Sequence, residues 1–147
     1  MEDSSKMPIT LGKLFYTDRG SVELPKDFID VLLGDEEGDY AIIILAVNQG
    51  IMRIVPTSTK KAVKIRIFIR ELSDDFIDNV MHTLGSLRLL YSSGVCFADE
   101  SDCYYECFIE DPAELKIKNL DILPLAKIKE SLSRISGVTD VETQVVS

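Results

Sequence analysis

From position 63 the chain alternates with a period of two: Val63, Ile65, Ile67 and Ile69 fall on one side, and Lys64, Arg66, Phe68 and Arg70 on the other. That period predicts a strand over 63–71 with one buried face. The period then lengthens. Phe76, Ile77, Val80, Met81, Leu84 and Leu87 recur at helical spacing, with Ser73 placed as N-cap and acidic residues in the first turn. LRLLYSSGVCF reads as a second strand, ADESD as a hairpin loop and CYYECFIE as a third strand. After the polar connection DPAELKIKN, the stripe Leu125, Ile128, Leu132 and Ile135 marks another helix, Gly137 ends it, and VTDVETQVV is a fourth strand.

Read in order, the elements after position 62 are βαββαβ, which predicts a ferredoxin-like sandwich: both helices on one face of an antiparallel sheet, the first strand between the third and fourth. Lys64, Arg66 and Arg70 on the outer face are then expected opposite Glu106 and Glu110 on the third strand and Glu142 on the fourth.

The first third of the chain has a different rhythm. ITLGKLFYT and SVEL are strand-like and flank the turn signal Asp18, Arg19, Gly20. Pro25 is suited to a first helical position. The helix KDFIDVLL is expected to bury Phe28, Ile29, Val31 and Leu32 before Gly34 stops it. Tyr40 to Val47 is a strand, Asn48, Gln49 and Gly50 a hairpin turn, and IMRIV the return strand to Pro56. PTSTKK, residues 56–61, is the polar break between the two rhythms. The division is therefore a tail over 1–9, a β-rich module over 10–57, a linker over 58–61 and the βαββαβ module over 62–147.

Four short strands and one short helix enclose little area, so the first module is expected to pair with a second copy of itself. Its framework of Gly20, Val22, Leu24, Pro25, Phe28, Leu33, Gly34, Gly38 and Asp39, followed by the hairpin ending in IMRIVP, resembles the AbrB-like, swapped-hairpin family. The resemblance implies an intertwined homodimer and, in many members, DNA binding through cations around the Gly and after the Pro. Lys13, Arg19 and Lys26 are the positions that could carry this role; Ser21 stands where an Arg is common, and Asp18, Glu23, Asp27 and Asp30 lie among the cations. The second module resembles an ACT-like regulatory domain at the level of pattern. That resemblance implies further self-association, to a dimer or tetramer, and an amino acid or other small effector near the first strand-to-helix loop, here Glu71, Ser73, Asp74 and Asp75. The loop lacks the Pro and Gly of the family pattern, and Asp74 and Asp75 also suit a helix start.

Composition narrows the function classes. The net charge is −9, with 6 basic and 10 acidic residues over 1–60 and 10 and 15 over 61–147, so any contact with nucleic acid has to be local. No apolar run reaches the ~18 residues of a membrane span, and MEDSSKMPIT has no secretory pattern; a cytoplasmic protein without membrane contact is expected. Cys96, Cys103 and Cys107 are an odd set, expected as free thiols. Cys103 and Cys107, about 13 Å apart along a strand, cannot share a zinc ion unaided. His82 reads as a surface or boundary residue. No catalytic constellation or cofactor motif is legible, so no enzyme and no cofactor is expected. The expected function is a homodimeric transcription regulator, with two alternatives: a scaffold whose acidic first module binds a protein partner in the manner of an antitoxin, and a small-molecule-binding regulatory subunit that does not bind DNA.

Overall fold

The computed structural model describes residues 23–34, 40–47, 49–96, 103–117 and 121–147. The chain divides into two compact units, Met1–Glu36 and Glu37–Ser147. In the first, α1 is Lys26–Leu33. Pro25 stands just before it, and its carbonyl accepts from the N–H groups of Phe28 and Ile29 at 3.0 and 3.1 Å. Gly34 ends the helix at φ +41°, a value at which a side chain would be strained, and donates to the Asp30 carbonyl. The expected buried face is narrower than the sequence suggests. Phe28 and Leu32, four residues apart on one side, are half-buried, whereas Ile29 and Val31 flank that line and are exposed.

The second unit is α+β. It opens with a hairpin, β1 (Tyr40–Ala46) and β2 (Ile51–Thr57), paired from Tyr40↔Thr57 to Ala46↔Ile51. The four-residue connection contains Gly50 at φ +64°, consistent with the turn signal Asn48, Gln49, Gly50. Then follow β3 (Ala62–Ile69), α2 (Phe76–Leu84), β4 (Leu89–Cys96), β5 (Cys103–Glu110), α3 (Pro112–Lys116), α4 (Leu125–Ser133) and β6 (Val138–Val146). The last four strands form an antiparallel sheet in the order β4-β5-β3-β6, with β3 between β5 and β6 as the element order predicts. No helix among the described residues is long and apolar enough to cross a membrane.

One core joins this sheet to its helices. Val63, Ile65 and Ile67 of β3 are fully enclosed, as are Cys107 and Ile109 of β5. Phe76, Val80 and Leu84 of α2 and Ile128 and Leu132 of α4 pack over them, with Val141 of β6. Phe76 meets Tyr105 edge to face, the ring centres 5.8 Å apart, an arrangement favoured by the aromatic quadrupole. Ile77 and Met81 share the helical period but face outward. Ser73 does not cap α2. The chain makes a turn first, with the Phe76 N–H on the Ser73 carbonyl, and Asp75 is the residue before the helix. The connection DPAELK, expected to be irregular, holds the short helix α3: Asp111 accepts from the Ala113 N–H at 3.0 Å and Pro112 occupies the first turn.

Two glycines with left-handed φ have different reasons to be there. At Gly85, φ +62°, an added Cβ would meet open space. At Gly137, φ +87°, it would collide with the Glu71 carbonyl oxygen, because the turn before β6 packs directly on the backbone that leaves β3. Arg70 N–H donates to the Gly137 carbonyl at 2.9 Å and ties the same two segments. Gly85→Ala is expected to cost about 1 kcal/mol in urea denaturation, the ordinary conformational penalty, and Gly137→Ala clearly more, about 3 kcal/mol, because strain and collision add. Equal losses at the two sites would show that the contact with Glu71 carries no weight.

Candidate functional site

The sheet face away from the helices is built in rows by the strand register. One row runs Tyr91, Phe108, Lys64, Gln144; the next Ser93, Glu106, Arg66, Glu142; a third includes Tyr104, Phe68 and Asp140. Strand alternation dictates this: the residues that fill the core have neighbours one position away that must point to the other side. The central residues of the face are half-buried rather than solvated.

Glu106 is the hub of the polar part. Its carboxylate accepts from Arg66 Nε at 2.7 Å and pairs with Arg66 Nη2 at 2.5 Å on one oxygen, with Lys64 Nζ 3.4 Å from the other. Arg66 is held above its ordinary range chiefly by the hydrogen bond it donates to Glu106, against the opposing effect of desolvation, with the charges of Glu106 and Glu142 adding. Aromatic rings line the same groups. Arg66 lies over Tyr104 at 5.6 Å, Lys64 over Phe108 at 5.8 Å, and Arg53 of β2 over Tyr91 at 5.0 Å.

The hairpin covers one end of this face. Ile42 and Ile44 of β1 are buried with Ala62 and Leu90, and Val55, Tyr91, Phe108 and Val146 pack around them. The next inward pair, Ala46 and Ile51, is not sealed: Ala46 is half-buried and Ile51 is 45% exposed. A cleft of about 400 Å³ opens there, with Lys64, Arg66, Glu106, Tyr91, Tyr104 and Phe108 on the sheet side and the segment Ile43–Val47 on the hairpin side.

What fixes the hairpin to the sheet is a second carboxylate. Glu110, at the end of β5, is buried and accepts on Oε1 from Ser58 N–H at 3.0 Å, Ser58 Oγ at 2.9 Å and Thr57 Oγ1 at 3.3 Å. Thr59, also buried, donates from Oγ1 to the Lys61 carbonyl at 2.6 Å and accepts from Asp111 N–H, and Lys61 N–H donates to Glu114. Residues 57–61 therefore run across the end of the sheet on a set of side-chain hydrogen bonds. This corrects the expected cation pairing at two places. Glu110 turns to these hydroxyls rather than to a base, and Arg70 lies past the end of β3, exposed.

The residues singled out from the sequence lie elsewhere. Lys13 and Arg19 fall outside the described residues. Lys26 is exposed at the start of α1, next to Asp27. Glu71, Asp74 and Asp75 are exposed between β3 and α2, Ser73 is half-buried, and none of the four lines the cleft. The Ser73 hydroxyl lacks a partner at full hydrogen-bond geometry. It nonetheless acts on Asp75, whose carboxyl lies below its ordinary range mainly through Ser73, with its own backbone N–H and Asn79 assisting and desolvation opposing. His82 is exposed in the last turn of α2. The aromatic residues of the cleft escaped the sequence reading, although Tyr104, Glu106 and Phe108 alternate outward along CYYECFIE and announce a face with both rings and charge.

The cysteines divide. Cys107 is a buried free thiol, as expected. Cys103 is disulfide-bonded, which overturns the expectation of three free thiols. The register sets Cys103 directly across the ladder from Cys96, a proximity that spacing along the chain does not reveal. No protein-family model matches this chain, and no curated protein matches it.

Burial pushes the Cys107 thiol up to about 12 from 9.0. Iodoacetamide at pH 8 should leave Cys107 unmodified in the folded protein and label it on unfolding, read by mass spectrometry. The unfolded thiol loses its proton above pH 9 while the folded one keeps it, so this group's contribution to stability is intact below pH 9 and lost progressively as pH rises from there toward about 12. Glu110→Ala, which strands the donors of Thr57 and Ser58, should lower unfolding free energy by about 2 to 3 kcal/mol in urea titration. Glu110→Gln, which keeps an acceptor oxygen, should lose less.

Proposed function

We propose that the protein is a homodimeric regulator in which the hairpin forms the contact between copies and the βαββαβ part, ferredoxin-like and ACT-like in arrangement, senses a small molecule. The observation that carries this reading is the outer side of the hairpin. Its inner side is used on the sheet, yet its outer side is also apolar: Ile43 is 63% exposed, Met52 62% and Leu45 56%, with Ile54 and Pro56 beside them. A monomer leaves that surface and both hairpin edges in water, whereas a second hairpin stacked or exchanged there removes it. The AbrB-like resemblance supports the same pairing.

A role in DNA binding rests on Lys26, joined by Lys13 and Arg19, each present twice in a dimer. In α1 the acidic residues Asp27 and Asp30 oppose Lys26, so contact with phosphates is weak and steeply dependent on salt. The exposed apolar residues of α1, Ile29 and Val31, favour a protein partner at that helix as the second reading.

Light scattering should give twice the chain mass, and Leu45→Asp should give the single-chain mass with the circular dichroism of the folded protein retained. A wild-type monomer overturns the dimeric reading. A mobility shift with fragmented genomic DNA at ~50 mM salt, weakened by Lys26→Glu and abolished as salt rises, is the expected sign of DNA binding; no shift leaves a regulator that acts through protein contacts.

A further inference from the structure

We infer that the cleft between the hairpin and the outer sheet face is a binding site for a small planar aromatic anion, a ring bearing a carboxylate or a phosphate. The inference rests on the sensing role proposed above, but not on dimerisation, because every group involved belongs to one chain. The first support is shape. Ile42 and Ile44 close the hairpin onto the sheet, and the next inward residue of β1 is only an alanine, so about 400 Å³ stays open where a larger side chain would complete the packing. That volume holds a two-ring compound with a short acidic arm.

Chemistry gives the class. Tyr91, Tyr104 and Phe108 offer ring faces in a partly dry slot, and the cations Lys64 and Arg66 lie over two of these rings. One carboxylate, Glu106, serves both cations in the cleft; Glu142 stands on the other side of Arg66, where a separate depression also takes in Lys129. The cleft is thus locally cationic in a chain of net charge −9. Arg66 is engaged twice by Glu106, whereas Lys64 reaches it only at 3.4 Å and keeps ammonium hydrogens for a ligand. Half-buried ion pairs of this kind add little to stability for their desolvation, which fits a role in recognition. The ring would lie against Tyr104 and Phe108, under Ala46, with its acidic group on Lys64 and the open edge of Arg66.

Isothermal titration calorimetry of the full chain with adenosine monophosphate and with indole-3-acetate tests the site and separates phosphate from carboxylate. Ribose 5-phosphate and acetate, which lack the ring, serve as controls. At least one aromatic probe should bind in the micromolar to low millimolar range and bind at least tenfold more tightly than its control. Lys64→Met should weaken that binding roughly tenfold, the size of one lost charge-assisted hydrogen bond. Ala46→Phe, which fills the cleft and removes no polar group, should abolish it while leaving Tm within a few degrees. Absence of heat with both aromatic probes, or equal affinity in the Ala46→Phe protein, overturns the site. A compound from a wider metabolite panel that raises Tm equally in wild type and Ala46→Phe keeps the sensing role and rejects this cleft, whereas a panel in which nothing raises Tm rejects both.

Discussion

The second compact unit depends on the two-sided strand β3. Its odd-numbered residues are aliphatic and enclosed, and they hold the sheet to α2 and α4. After the buried Ala62, its even-numbered residues carry charge and a ring, and strand geometry forces them to the opposite side. A slip of one residue in register would place Lys64 and Arg66 in the core and the isoleucines outside, a cost far larger than any single surface interaction. The same hydrophobic requirement that fixes the fold therefore also fixes where Lys64 and Arg66 stand, how they face Glu106, and which rings lie beside them. The polar site inherits its precision from the apolar one.

Much of this architecture is legible in the sequence because periods survive in it. VKIRIFIR and CYYECFIE alternate, VTDVETQVV is rich in β-branched residues, and the strands lie almost where the sequence sets them. KDFIDVLL coincides with α1, and the order βαββαβ leads to the observed strand order. The misses have physical causes. Ser73 has the right chemistry for a cap, but the chain makes a turn before α2 begins, so the helix starts beyond its reach. DPAELK carries its own helix signals, an acceptor followed by proline, yet five residues are too few to show a period. The meeting of Glu110 with Ser58, and the register that sets Cys103 opposite Cys96, both exist only in the folded chain.

The candidate site was less legible than the fold for a related reason. Lys64, Arg66, Glu106 and Glu142 could be placed on one face from alternation alone, and the link between Glu106 and the two bases follows from it. The cleft could not, since it exists only where the hairpin departs from the sheet, and that departure reflects the small size of Ala46 after Ile42 and Ile44. Sequence reading assigned the hairpin to a different module from the sheet. In the fold, Ile42 and Ile44 share a cluster with Ala62 and Leu90.

Glu110 and its hydroxyl partners set the mechanical character of the junction. A hinge of glycine lets two parts drift independently, whereas the buried carboxylate of Glu110 has to give up three hydrogen bonds, from Thr57 Oγ1 and from Ser58 N–H and Oγ, for the parts to separate. The hairpin and the sheet thus share one anchor, and releasing Glu110 from its donors would loosen the hairpin and the last residues of β5 together.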